Sequence, residues 1–330
     1  MARTAARRDG RSCGARSQRG IALLVAILLV ALGTILAAAV AYENAMTFRR
    51  GSATYAFDQA LLVQQGAEAL AAYGLRLAQK ADPQHTYASE GWAQPVGPLE
   101  VVPGVMLTAQ LEDVQGRFNL NDLVKQDGTP DTVQVTAFEQ LLATLGLEPK
   151  WAGYVIDWID RDIVPSQPEG AEDSVYMGQV PPYRTPNRYI TSATELLALP
   201  GFGRDRYLAL APYVIALPYG TKLNICTARP QILDAYLGHI EFASDAQGFT
   251  KNRGASTGCF PQLSDYQAAA TNGGNAAGWQ QLSQKVQMTS SYFRLTSLIA
   301  IGSTEFNLYS LLLQDPTGQV RPILRSFTAD

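Results

Sequence analysis

Histidine and cysteine are scarce in this chain, with two His (His85, His239) and three Cys (Cys13, Cys226, Cys259) in 330 residues. Structural zinc sites draw on clustered Cys and His, and a His-centred hydrolytic triad needs a well-placed imidazole. Both histidines lie in ordinary local sequence and read as surface or capping residues, so no enzyme is expected. Positive charge is also short outside the first 20 residues. Those 20 hold six Arg (Arg3, Arg7, Arg8, Arg11, Arg16, Arg19) and one acid, Asp9. Removing them from 26 basic and 29 acidic residues leaves 20 and 28, a net charge of -8. An acidic body argues against general nucleic-acid binding, which needs basic side chains to meet phosphates.

Charge is absent altogether from Ile21 to Tyr42. As a helix this stretch would be about 33 Å long, enough to cross a bilayer core. The arginines before it keep the N-terminus cytoplasmic, so the body after Glu43 lies on the far side of an inner membrane. Proline is absent from Glu43 to Lys80, and Phe57, Ala60, Leu61, Ala67, Ala71, Leu75 and Ala78 trace a helical stripe interrupted by Gln64. The helix is expected to end at Ala81-Asp82-Pro83.

Residues 99–118, 286–301, 305–314 and 319–327 read as strands, with turns at Pro103-Gly104 and Asp315-Pro316-Thr317-Gly318. Between them, 135–147, 151–160, 192–199 and 204–211 read as helices. The Gly-, Ser-, Ala-, Gln- and Asn-rich stretch 241–284 reads as a long loop. Six carboxylates, Asp157, Asp160, Asp162, Glu169, Glu172 and Asp173, fall within 17 residues that also hold Pro165, Pro168 and Gly170. Two readings stay open for them, a solvated acidic loop or a site for a hard cation such as Ca²⁺, which takes six to eight oxygens in irregular geometry. A glycosidase pair of acids would need a cleft with sugar-stacking aromatics; Trp151, Trp158 and Tyr176 are nearby, but core packing accounts for Trp158. Cys226 and Cys259 are an even pair in an oxidising compartment, and a disulfide between them is weighed against two free thiols.

A secretory signal peptide is cut after its apolar run. Here the distinctive site, Gln18-Arg19-Gly20 followed by Ile21, precedes it. This resembles the class III signal of type IV pilins and type II secretion pseudopilins. The resemblance implies cleavage between Gly20 and Ile21, methylation of the new Ile21 amine and retention of the membrane helix. The fifth mature position, usually Glu, is Val25, a departure associated with the K-type minor pseudopilins. Gly116-Arg117-Phe118-Asn119-Leu120-Asn121, Trp158-Ile159-Asp160-Arg161-Asp162 and Gly170-Ala171-Glu172-Asp173-Ser174-Val175-Tyr176 resemble segments of that family. So does Leu199-Pro200-Gly201-Phe202-Gly203, which looks like a helix-hairpin-helix turn. Leu223-Asn224-Ile225-Cys226-Thr227-Ala228 looks like the opening of a second such unit, with Cys226 in place of the usual Asn.

The resemblance implies an α+β fold: a pilin-like long N-terminal helix packed on an antiparallel sheet, with a large, mainly helical insertion containing helix-hairpin-helix-like turns. The implied organisation is a leader over 1–20, the N-terminal helix over 21–80, the sheet domain over 81–118 and 285–330, and the insertion over 119–284. It further implies a structural Ca²⁺ site, for which Asp160, Asp162, Glu172 and Asp173 are the candidates and Asn187 a possible addition. The implied protein is a single-pass inner-membrane subunit with a periplasmic body, placed at the tip of the secretion pseudopilus. Its expected partners are the other minor pseudopilins, the prepilin peptidase and the inner-membrane secretion platform. The alternative is a DNA-uptake tip subunit that binds duplex DNA through the hairpin module.

Overall fold

The computed structural model describes residues 19–237, 258–271 and 276–327. Residues 1–18, with most of the expected leader and Cys13, and 238–257, with His239, lie outside them. The chain divides into two units, Met1–Gln59 and Ala60–Asp330.

The first unit is described from Arg19, the start of helix α1 (Arg19–Ala81). Its side chains from Ile21 to Tyr42 are exposed, for example Leu24 at 66% and Leu28 at 67%. Among the described residues α1 is the one helix long and apolar enough to cross a membrane. A run this apolar would bury itself in a soluble core. Full exposure is what a lipid-facing helix shows.

In the second unit, the part of α1 from Ala60 onward lies on a five-stranded sheet. Its strands are β1 (Val96–Val102), β2 (Val105–Asp113), β7 (Tyr292–Ile301), β8 (Thr304–Gln314) and β9 (Val320–Ser326), in the order β1-β2-β7-β8-β9, all antiparallel. Burial alternates strictly along β2 and through most of β7, as expected for a sheet with one covered face. Ala60, Ala67 and Leu75 of α1 meet Leu107, Leu111, Phe293, Leu295, Ile299 and Leu312 there. Gln64, the polar break in the stripe, is also buried. Its Nε2 donates to Ser310 Oγ at 2.9 Å, and that hydroxyl donates to the buried Glu68 at 2.6 Å. The β1–β2 and β7–β8 hairpins turn at Gly104 (φ 80°) and Gly302 (φ 60°), where a side chain would be strained.

Strands β2 and β7 are central neighbours, paired from Val105↔Ile301 to Asp113↔Phe293. Everything between them is therefore an insertion that leaves and re-enters at one end of the sheet. It has its own core, with Phe118, Phe138, Leu141, Trp151, Val155 and Phe202 among its members. Its elements are β3 (Phe118–Asn119), α2 (Thr132–Thr144), α3 (Trp151–Ile159), α4 (Asp173–Tyr176), α5 (Gly203–Leu210), β4 (Val214–Ile215), β5 (Leu223–Asn224), α6 (Pro230–Leu237), α7 (Leu263–Thr271), α8 (Ala276–Leu282) and β6 (Val286–Gln287). The expected helix over 192–199 is a 3-10 helix, Ala193–Ala198.

In the described part of 241–284 the structure corrects the loop reading, because α7 and α8 fall there; 241–257 and 272–275 lie outside the described residues. Few apolar residues occur there, but those present are large. Phe260 and Tyr266 are buried with ring centroids 5.4 Å apart, and Trp279 lies 6.0 Å from Tyr266. Two parallel two-residue ladders, β3–β4 and β5–β6, were also outside the expectation. Strands this short have no periodicity to read and exist only because tertiary contacts bring them together.

Candidate metal centre

Helix α3 points its apolar residues Val155, Ile156, Trp158 and Ile159 into the insertion core. It ends at Asp160, whose backbone is extended (φ -67°, ψ 174°). The chain then makes an irregular loop through Pro165, Pro168 and Gly170 and returns to Glu172 at the start of α4. The loop lies flush against α3. A Cβ on Gly153 would sit 2.1 Å from Glu169 O, and one on Gly170 would sit 2.2 Å from Asp157 Oδ2. Glycine at both positions permits this approach.

This path brings one oxygen each of Asp160, Asp162 and Glu172 within 4.8 Å of one another. Asp160 and Glu172 are 5% and 3% exposed. Asp160 Oδ1 and both oxygens of Glu172 are buried with no hydrogen-bond partner. Asn187 stands at the same place. Its backbone is left-handed (φ 48°), its Nδ2 donates to Asp162 O at 3.5 Å, and its Oδ1 is buried without a partner. Burial, followed by the charges of Asp162 and Asp157, pushes the Asp160 carboxyl up to about 7. Burial, then Asp157, Asp160 and Asp162, does the same to Glu172, also to about 7. Among the described residues no basic side chain pairs with any of the three carboxylates. Buried, unpaired oxygens of this kind are costly. A donor set made only of carboxylate and amide oxygens suits a hard divalent cation and not a soft one.

Asp173 is employed elsewhere. Its Oδ1 accepts from Thr185 N and Oγ1 at 3.2 and 3.1 Å, and Arg184 lies 3.4 Å from its Oδ2. It pins α4 to the 184–185 segment. Of the four acids singled out in the sequence, three therefore converge, and Asn187 joins them. Asp157 was counted there only as one acid of the run, yet it is completely buried beneath the loop. A polar residue in the apolar run Val155-Ile156-Asp157-Trp158-Ile159 was the available signal.

The hairpin module is closed on itself. Gly201 and Gly203 take φ of 79° and 74°, and Phe202 between them is buried. Arg206 Nη1 donates to the carbonyls of Gly201 and Phe202, both at 3.1 Å. Its guanidinium lies over the Trp151 ring and 3.5 Å from Glu148. Arg206 thus serves the turn, and the exposed Arg204 has Asp205 beside it. The Asn-Ile-Cys-Thr-Ala run is likewise turned inward. Asn224 Nδ2 donates to Thr86 O, Asp113 Oδ2 and Ser290 Oγ at 2.8–2.9 Å, and the Thr227 hydroxyl also donates to Asp113. Cys226 and Cys259 form a disulfide with Cα atoms 4.5 Å apart. His85 Nδ1 faces both oxygens of Asp82 just past the end of α1.

Residues 116–219 match the family described as type II secretion system (T2SS), protein K. The type II secretion system protein K of Pseudomonas aeruginosa is 32% identical over 324 residues, covering 94% of this chain and 93% of that one. The protein of the same name from Klebsiella pneumoniae is 36% identical over 222 residues, covering 64% of this chain and 67% of its own length. A chain from the crystal structure of the GspK-GspI-GspJ complex of the enterotoxigenic Escherichia coli type 2 secretion system shares the fold. Its TM-score is 0.73 at 24% identity, covering 84% of this chain and 98% of that one.

Proposed function

The chain belongs to the type II secretion system protein K family, and from that membership we propose that it is the minor pseudopilin at the tip of the periplasmic pseudopilus. There it starts filament assembly and supports export of folded proteins across the outer membrane. The observation that carries this reading is the split sheet. A large insertion with its own core separates the central strands β2 and β7. A subunit of that bulk would obstruct others stacking above it, so the end of a filament suits it. The related complex contains GspI and GspJ, and their counterparts are the partners proposed here.

The apolar stretch from Ile21 is the single membrane span, with Arg19 and the arginines before it on the cytoplasmic side and the body in the periplasm. The prepilin peptidase cuts between Gly20 and Ile21, and the Ile21 amine is methylated. Val25 leaves this subunit without the fifth-position Glu that would meet a neighbour's amine. No catalysis is assigned, and the DNA-uptake alternative gains no support from a hairpin whose Arg206 is spent on its own turn.

Asp160, Asp162, Glu172 and Asn187 would hold a structural Ca²⁺. Bound there, the ion relieves repulsion among the three carboxylates and ties the end of α3 to the 172 and 187 segments. Three measurements test the proposal. In cells lacking this chain, secretion should stop, and return with the wild-type gene; continued secretion at the normal rate would refute the export role. Mass spectrometry of the purified protein should find an N-methylated Ile21 at its start. For the metal, Ca²⁺ at a hundredfold excess over Kd should stabilise the native state by about 2.7 kcal/mol, and an Asp160→Ala, Glu172→Ala variant should not respond.

A further inference from the structure

The three carboxylates that converge come from the two ends of one loop. Asp160 and Asp162 lie at its start and Glu172 at its finish, ten residues beyond Asp162 with no helix or strand between. A free loop of that length would spend little time with its ends together. Some contact in its middle must hold it.

That contact lies on one face of α3. Gly153, Asp157 and Asp160 are spaced i, i+4, i+7 and share a side of the helix. Gly153 receives the backbone of Glu169, Asp157 that of Ser166 and Gly170, and Asp160 faces the cluster. Asp157 is the polar element in this seat. It is 0% exposed, and its two oxygens accept the Ser166 N–H at 3.0 and 3.1 Å. Asp160 and Glu172 have buried oxygens without partners, whereas Asp157 has none. Its lone pairs are directed to the loop backbone.

We propose that Asp157 is a positioning residue of the cation site and not a ligand: it holds the 162–172 loop against α3 so that the ligands at both ends converge before a cation arrives. This rests on the calcium reading above. Outer contacts that orient metal ligands typically change affinity by roughly 10–100-fold when removed.

The test uses the full chain in detergent, with Eu³⁺ as a luminescent probe of the Ca²⁺ site and Ca²⁺ competition for affinity. Luminescence lifetimes in H₂O and D₂O count the waters left on the ion. Asp157→Asn places an amide N–H₂ where a second acceptor stood. Gly170→Ala disturbs the same seat while every carboxylate is kept. Both variants should bind Ca²⁺ roughly 10–100-fold more weakly with the wild-type number of bound waters. Asp160→Asn, a ligand change, should raise that number. A raised water count in Asp157→Asn would make Asp157 a ligand and overturn the proposal. Weaker binding in Asp157→Asn but not in Gly170→Ala would mean that Asp157 acts through charge alone, which also overturns it. Unchanged affinity in both, with only a lower melting temperature, would reduce Asp157 to a fold residue. Wild-type protein that takes up neither ion would instead overturn the calcium reading itself.

Discussion

Glu68 shows how one buried charge is kept on the sheet side of α1. It is 6% exposed, and Arg325 of β9 reaches both its oxygens at 2.8 and 2.7 Å. Burial works to raise its pKa, but the hydrogen bonds and charge of Arg325, with the Ser310 hydroxyl, outweigh it and leave the group below the ordinary glutamate value of 4.5. A lowered carboxyl contributes stability that is present above its unfolded pKa and lost as pH falls through the folded one. Arg325 is half exposed, so solvent weakens the pair. Glu68→Gln is expected to cost about 1–3 kcal/mol at pH 7, read by thermal unfolding, with the difference from wild type shrinking as pH falls below the ordinary value of 4.5. Asp122 has the opposite sign. Burial raises it to about 6, against the Gly220 N–H that donates to its Oδ1 at 2.7 Å. Its contribution is present below the unfolded value of 3.8 and is lost as pH rises through about 6. Asp122→Asn should therefore flatten the melting temperature between those values and raise it above pH 6. A variant less stable than wild type at pH 7 would contradict this account.

At the scale of elements, α3 and its loop carry the least ordinary packing. Ala in place of Gly inside a helix normally stabilises by roughly 0.5–1 kcal/mol. At Gly153 the sign should reverse, because the new Cβ would fall 2.1 Å from the carbonyl oxygen of Glu169. Gly153→Ala is expected to lower the melting temperature and weaken Ca²⁺ binding together. A gain in stability would mean that the loop does not rest on this face. The long elements were legible beforehand. Helix α1 and strands β2, β7 and β8 announce themselves through charge-free length, helical stripe or alternation. Helices α7 and α8 did not, since their burial depends on a few aromatic side chains set among Ala, Gln and Ser. The carboxylate cluster was legible as a composition but not as a ligand set: nothing in the order of residues separates Asp173, bonded to Thr185, from Glu172, left without a partner.

For the whole molecule, the decisive feature is an insertion that returns to the strand beside the one it left. Its two ends meet at Asp113, which is buried and accepts from Asn224, Thr227, Ser290 and the Gln115 N–H. The disulfide adds a second closure, 33 residues apart in sequence, between the β5 turn and the segment before α7. In the chain-entropy account, a loop of that size contributes about 3–4 kcal/mol. Reduction, or a Cys226→Ser, Cys259→Ser pair, should lower the unfolding temperature accordingly while leaving the sheet core intact, as calorimetry and circular dichroism would report. Some properties followed from the sequence by itself: a charge-free run long enough to cross a bilayer, the strand-rich ends around a helical middle, and a carboxylate-rich segment with neither His nor Cys in it. Each depends on neighbours in the chain or on composition, so one dimension suffices. The tertiary structure alone decided which acids converge, that Asp157 lies beneath them, that Arg206 and Asn224 face inward, and that Leu263–Thr271 and Ala276–Leu282 fold as helices. Those outcomes depend on contacts between residues far apart in the chain, where burial and hydrogen-bond geometry choose among side chains that look equivalent in a list.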